Sequence, residues 1–194
     1  MNRKSVLVII VILIMLAGAL ISGLAYTNSR TFNLTLVVSP VNSGNGSSDQ
    51  FAFYVLSNGK LTSSSDIVLP SNTLIEVTIF EHDPGPSPPF VDYAQNVLGT
   101  QMNRIILFNK VLGVTSANEV PNQGQGRYVM QVNSSDISDT FSISNGVNIP
   151  IPPSSIVIGY ITFNSPGTYS WGDMCNCGPS MYVQGEMYGT ITVQ

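Results

Sequence analysis

The sequence predicts an all-β domain, a Greek-key β-sandwich or barrel, preceded by one N-terminal transmembrane helix. Three observations carry that expectation. An uncharged run from Ser5 to Ser29, with an apolar centre from Val6 to Tyr26, follows Arg3 and Lys4, and about 20 apolar residues cross a bilayer as a helix. Beyond it, the chain breaks into short β-branched and aromatic runs separated by Gly, Pro, Asn and Ser, with no convincing long helix. Only 9% of the 194 residues are charged, against roughly 25% in an ordinary soluble domain, so the surface relies on neutral polar groups.

The N-terminal stretch, 1–30, is expected to be a membrane anchor or a signal segment. Its apolar centre exceeds the roughly 7–15 residues of a signal-peptide core, which favours a retained anchor. Gly23-Leu24-Ala25 supplies the small residues that cleavage needs, so the processed alternative stays open. Arg3 and Lys4 favour the inner side. That places 31–194 outside the cell membrane as a C-terminal β domain on a single-pass protein. Sequons at Asn33, Asn45 and Asn133 agree with an external location. A net charge of −4 with no basic patch argues against nucleic-acid partners. So few ionisable groups build little repulsion when carboxylates protonate, which suits an acidic exterior.

Elements follow in order. Phe32, Leu34, Leu36 and Val38 alternate as a half-buried strand, and Ser39 to Gln50 is a loop by composition. Phe51 to Leu56 is a second strand, closed by the Ser57-Asn58-Gly59 turn. Ile67 to Pro70 leads into a third, Leu74 to Phe80. Glu81 to Phe90 holds four prolines and so makes a rigid excursion rather than a ladder. It carries His82, the only histidine, which reads either as a ligand at a strand end or as a polar turn residue. Val91 to Val120 has no clear pattern, and Pro121 to Arg127 is a loop. Strands are expected at Arg127 to Val132, at Thr140 to Ile143 and at Ser155 to Phe163, with turns at Asn133–Asp136, Ser144–Gly146 and Asn164–Gly167. Val147 to Pro153 is extended because of its prolines. The total is about eight strands.

The tail, Gly167 to Gln194, reads as strand, loop, strand. Its loop region gathers both cysteines, Cys175 and Cys177, and Met174, Met181 and Met187 of the chain's seven methionines, beside its only tryptophan, Trp171. Other chemistry finds no support. No Ser-His-Asp set is suggested, because His82 sits among prolines. One histidine and two cysteines fall short of a four-ligand zinc set of Cys and His. No Gly-rich phosphate loop opens a helix.

Three segments then carry a family resemblance. Asp136-Ile-Ser-Asp-Thr-Phe-Ser-Ile resembles a strand that in the family carries a histidine before Thr-Phe. Gly146-Val-Asn-Ile-Pro-Ile-Pro resembles the turn after it. Pro166-Gly-Thr-Tyr through Met187-Tyr-Gly-Thr-Ile-Thr-Val resembles the closing hairpin and its ligand loop. Together they resemble cupredoxins, and more narrowly the copper domain of haem-copper oxidase subunit II and archaeal membrane-anchored cupredoxins. The departures fall on the ligands. Asp139 stands at the first histidine, Met181 at the loop histidine, and Asp173 four residues before Cys177, where a dinuclear site has its other cysteine. A blue site needs two histidines, a thiolate and a weak axial ligand, so ordinary blue and dinuclear centres are excluded on ligand count.

What the resemblance leaves is either no cofactor or copper held by soft donors. Cys175, Cys177, Met181 and Met187, with Met174 and an Asp139 oxygen in reserve, would suit Cu(I). Against that stand a Cys175–Cys177 disulfide, permitted outside the cell, two packed thiols, and methionines that simply fill the end of the barrel. Trp171 reads as a core aromatic or an electron relay. This arrangement requires Asp139 close to Cys177 and the tail paired with the strand ending at Phe163.

Function then divides three ways. The resemblance implies a non-catalytic, subunit II-type member of an archaeal-type respiratory haem-copper quinol oxidase, with the membrane and haem-bearing oxidase subunits as partners. Many subunits of that type have two spans where this chain has at most one. The alternatives are a stand-alone external electron carrier or copper-binding protein, and a structural cell-surface β-sandwich protein. On the first reading the chain is an accessory to an oxidoreductase rather than the catalyst.

Overall fold

Period-two alternation decides which side of each strand is buried. In β1 (Phe32–Pro40) Leu34, Leu36 and Val38 join the core, and in β5 (Ile75–Glu81) Ile75, Val77 and Ile79 do the same. The two strands run parallel, with Leu34 beside Val77 and Leu36 beside Ile79. The computed structural model describes residues 31–41, 50–109 and 126–194. The expected membrane helix within 1–30, the Asn45 sequon, and the part of the patternless Val91–Val120 and of the Pro121–Arg127 loop that falls in 110–125 lie outside them. Among the described residues no helix is long and apolar enough to cross a membrane.

The remaining strands are β2 (Phe51–Ser57), β3 (Lys60–Ser63), β4 (Asp66–Leu69), β6 (Ile105–Asn109), β7 (Arg127–Val129), β8 (Asp139–Ile143), β9 (Val147–Ile151), β10 (Ser155–Ile161), β11 (Gly167–Gly172) and β12 (Tyr188–Val193). They form a seven-stranded sheet, β3-β2-β1-β5-β10-β6-β7, and a five-stranded sheet, β4-β12-β11-β8-β9. After the β8–β9 hairpin the chain crosses to the first sheet as β10, then returns to pair β11 with β8. That exchange makes the sandwich a Greek key. The expected all-β architecture is therefore present.

One core joins the sheets. Phe53, Phe141 and Trp171 form its aromatic centre, with ring centroids 5.4 to 6.0 Å apart. Trp171 Nε1 donates to the Ser64 carbonyl at 3.0 Å, which satisfies its one polar atom inside the protein. Pro150 interrupts no ladder of the sheet, because β9 is an edge strand.

Several expectations need correction. The described residues hold twelve strands rather than about eight. Lys60–Ser63 is an extra one, folded back on β2 by Asn58 and Gly59 at φ 51° and 73°. Both signs are positive, the pattern of a tight hairpin turn that matches the twist of its strands. Ile67–Leu69 does not merely lead into the next strand, because β4 and β5 belong to opposite sheets. The strand from Arg127 stops at Val129, and Gln131 makes only an isolated bridge with Asn96. The tail does not pair with the strand ending at Phe163: β10 lies between β5 and β6, while β12 lies between β11 and β4. The pairing that the sulfur pole was expected to require is therefore absent, and β11 brings the loop to Asp139 through its contact with β8 instead.

Candidate metal centre

Three strands meet one end of the sandwich with a carboxyl group on their inward face. Glu81 follows Ile75, Val77 and Ile79 in the buried alternation of β5. Asp139 precedes Phe141 and Ile143 in β8, and Asp173 follows Trp171 just beyond β11. Each takes a position that period two assigns to the core. Asp139 is 0% exposed, Glu81 4% and Asp173 5%.

The cysteine loop closes over this pole. Cys177 Sγ lies 2.9 Å from Asp173 Oδ2 and 3.2 Å from Asp139 Oδ1, and donates to one of them at a time. Asp173, Cys175 and Cys177 each bring a ligand atom within 4.8 Å of the others. Thr140 secures Asp173: its backbone N–H and its hydroxyl donate to Oδ1 at 2.7 and 3.0 Å. The same hydroxyl accepts the Met174 N–H at 2.7 Å. Ser138 Oγ donates to Asp139 Oδ2 at 3.2 Å.

The proline-rich excursion reaches the loop. Pro89 bridges to Cys175, and the Phe90 N–H donates to the Met174 carbonyl at 3.0 Å. Cys175 is fully buried, packed with Val132 and Ile137. Both cysteines are free thiols, so the disulfide alternative is not what the fold presents.

Electrostatics at the pole are one-sided. Burial, then the charge of Asp139, drives Glu81 well above the usual carboxylate range. Burial, then the charge of Asp173, raises Asp139 to about 7. Burial raises Asp173, against hydrogen bonds from Cys177 and Thr140 that favour its ionised form. Among the described residues no Lys, Arg or His contributes to these shifts. The Cys177 thiol is raised by its bond with Cys175, by burial and by the two aspartates. At Cys175 the bond with Cys177 acts to lower the thiol, but burial and the aspartate charges outweigh it. The thiols are therefore held neutral. Glu81 Oε1 accepts the Asp83 N–H at 2.7 Å, while its buried Oε2 has no partner.

The sequence-derived candidates divide accordingly. Asp139, Cys175 and Cys177 do meet. Met187 is buried in the main core and Met181 is packed against it, which matches the gap-filling alternative. Trp171 is likewise a core aromatic. His82 is half-buried, burial lowers the pKa of its imidazole, and it is not among the donor atoms that gather. Asp173 and Glu81 were missed as site residues. Asp173 stood out only as a replaced cysteine, and Glu81 as a loop boundary, although alternation along their strands points both inward.

These residues do not fit an ordinary blue or dinuclear copper centre, since no imidazole joins them. Two thiols would attract Cu(I), but the two carboxylates are hard oxygen donors that it does not favour.

No family model and no curated protein matches the chain. Among solved structures it is similar to a multicopper oxidase from Pediococcus acidilactici, with 12% identity and a TM-score of 0.38, covering 87% of this chain and 27% of that one. The chain thus spans about a quarter of that oxidase. It is similar to auracyanin B, with 14% identity and a TM-score of 0.34, covering 86% of this chain and 91% of that one. It is similar to rusticyanin from Thiobacillus ferrooxidans, with 14% identity and a TM-score of 0.34, covering 87% and 80%. Likenesses at this level do not decide what the present chain binds.

Proposed function

We propose that the chain is a membrane-anchored, cupredoxin-like accessory subunit of the subunit II type, serving a haem-copper quinol oxidase without an ordinary copper centre of its own. The observation that carries this reading is the placement of Asp139 and Asp173 around Cys177, whose thiol donates to one or the other. The resemblance places a histidine and a cysteine at those two positions. Here the same pole is filled by carboxyls and neutral thiols, a set unsuited to passing single electrons at low reorganisation. The apolar run within 1–30 supports anchoring, and the closing-hairpin motif supports the subunit kinship. In such an assembly quinol delivers electrons within the membrane, so the external domain serves docking and structure.

The test is purification of the full chain from its own membranes under mild detergent. Copurification with haem-bearing subunits, and no thiolate-to-copper absorption band, is the expected result. A chain that emerges alone with one copper and an intense visible band overturns the proposal and favours the carrier. Ordered self-assembly without haem or copper favours the structural surface protein instead.

A further inference from the structure

We infer that the pole is a binding site for a redox-inert divalent cation of the zinc class, ligated by Asp139, Asp173, Cys175 and Cys177. Counting only histidines and cysteines hides it, because carboxylate oxygens also ligate such ions. Distance is the first argument. An ion bonded at about 2.3 Å to sulfur and about 2.0–2.2 Å to oxygen, in tetrahedral geometry, sets its ligands about 3.5–3.8 Å apart. Cys177 Sγ already lies 2.9 and 3.2 Å from the two aspartate oxygens, and the Cys175 sulfur falls within 4.8 Å of Cys177 and Asp173, with Asp139 joining through Cys177. The Cys177 contacts must lengthen slightly, and Asp139 must close toward the Asp173–Cys175 pair, for all four groups to reach one ion.

Glu81 is the second, independent argument. Its Oε2 is buried and lacks a hydrogen-bond partner, and the Glu81 carboxyl interacts with Asp139. Ligating carboxylates need outer partners that fix their orientation. Ser138 Oγ supplies one for Asp139 and the paired Thr140 bonds supply one for Asp173, while the unpartnered Glu81 Oε2 is free to supply a further one to Asp139. Thus both oxygen ligands are oriented from outside, which a merely solvated acidic patch does not require.

Charge selects the kind of ion. A buried group of acids without a cation is costly unless it is protonated or paired with a metal. A divalent cation offsets twice the charge of Cu(I), and two sulfurs with two oxygens suit a tetrahedral ion without redox preference. The inference stands on this geometry alone, and the oxidase reading stands on copurification.

The experiment uses the full chain in detergent, stripped with a chelator and titrated with Zn(II) alone and with Co(II) alone. One Co(II) per chain, with tetrahedral ligand-field bands and a thiolate-to-cobalt band, is expected, and Zn(II) should displace it and raise the Tm. Cys177→Ser and Asp173→Asn should each abolish the thiolate-type tetrahedral complex. Glu81→Gln should weaken Zn(II) binding about ten- to a hundredfold while keeping the spectrum. Circular dichroism separates lost binding from lost folding, and the wild-type titration decides even where a variant fails to fold. No binding, or an octahedral cobalt spectrum without a thiolate band, overturns this inference and leaves the oxidase reading intact. Preferential uptake of copper with a blue band overturns both.

Discussion

Thr140 shows how one side chain holds the pole together. Its hydroxyl donates to Asp173 Oδ1 at 3.0 Å and accepts from the Met174 N–H at 2.7 Å, so it ties β8 to the start of the cysteine loop. Thr140→Val keeps the shape and removes both bonds, leaving the half-buried Met174 N–H unpaired at a cost of about 1 kcal/mol. Thr140→Ser should recover most of that. Chemical denaturation of the three proteins checks the order, and a valine variant as stable as wild type would show that the hydroxyl is idle. A second residue-scale case is Trp171. Its truncation to alanine removes a fully buried indole and orphans the Ser64 carbonyl, with an expected loss of about 3–5 kcal/mol. Near-wild-type stability of that variant, read from the same denaturation curves, would mean that the core closes over the gap.

At the scale of elements, the tail hairpin carries the site and is sensitive to bulk on one strand only. A Cβ at Gly189 in β12 would stand 2.6 Å from Trp171 Nε1 and 2.7 Å from the Ser65 carbonyl. Gly172, one register step away on β11, meets nothing nearer than 3.6 Å. Gly189→Ala is expected to cost about 1–3 kcal/mol by overpacking, and Gly172→Ala to be close to neutral. Equal Tm values for both variants would contradict the packing described. The hairpin was legible in the sequence because turn residues and β-formers agree there. Asp139 beside Cys177 was legible because the motif fixes its place. Strand pairing across sheets was not, because nothing local in Ser155 to Phe163 says which sheet it joins. Glu81 and Asp173 escaped for a related reason: a charged residue at a strand end reads as a boundary, as Glu81 did, or as a lost ligand, as Asp173 did. Only knowing that three strands end at the same pole turns those boundaries into a cluster.

For the whole molecule, the decisive property is stability against pH. Asp139, Glu81 and Asp173 all have carboxyls raised by burial in the folded state. The folded chain therefore binds more protons than the unfolded chain between the ordinary carboxylate range and the raised values. Stability from this source is fully present below about pH 4 and is lost as pH rises, through about 7 for Asp139. Each such group contributes a slope of about 1.4 kcal/mol per pH unit within its window. Opposing terms are small, since only 9% of residues are charged and acid generates little self-repulsion. The chelated protein should thus melt at a higher temperature near pH 4 than near pH 7, the reverse of ordinary acid denaturation. Asp139→Asn removes one titrating carboxyl with little change of shape, so it should flatten the profile and raise the Tm at neutral pH. Zn(II) should oppose the trend, because protons compete with the ion for the same ligands. A Tm that falls between pH 7 and pH 4 in the presence of chelator would mean that the three acids do not share a buried pole.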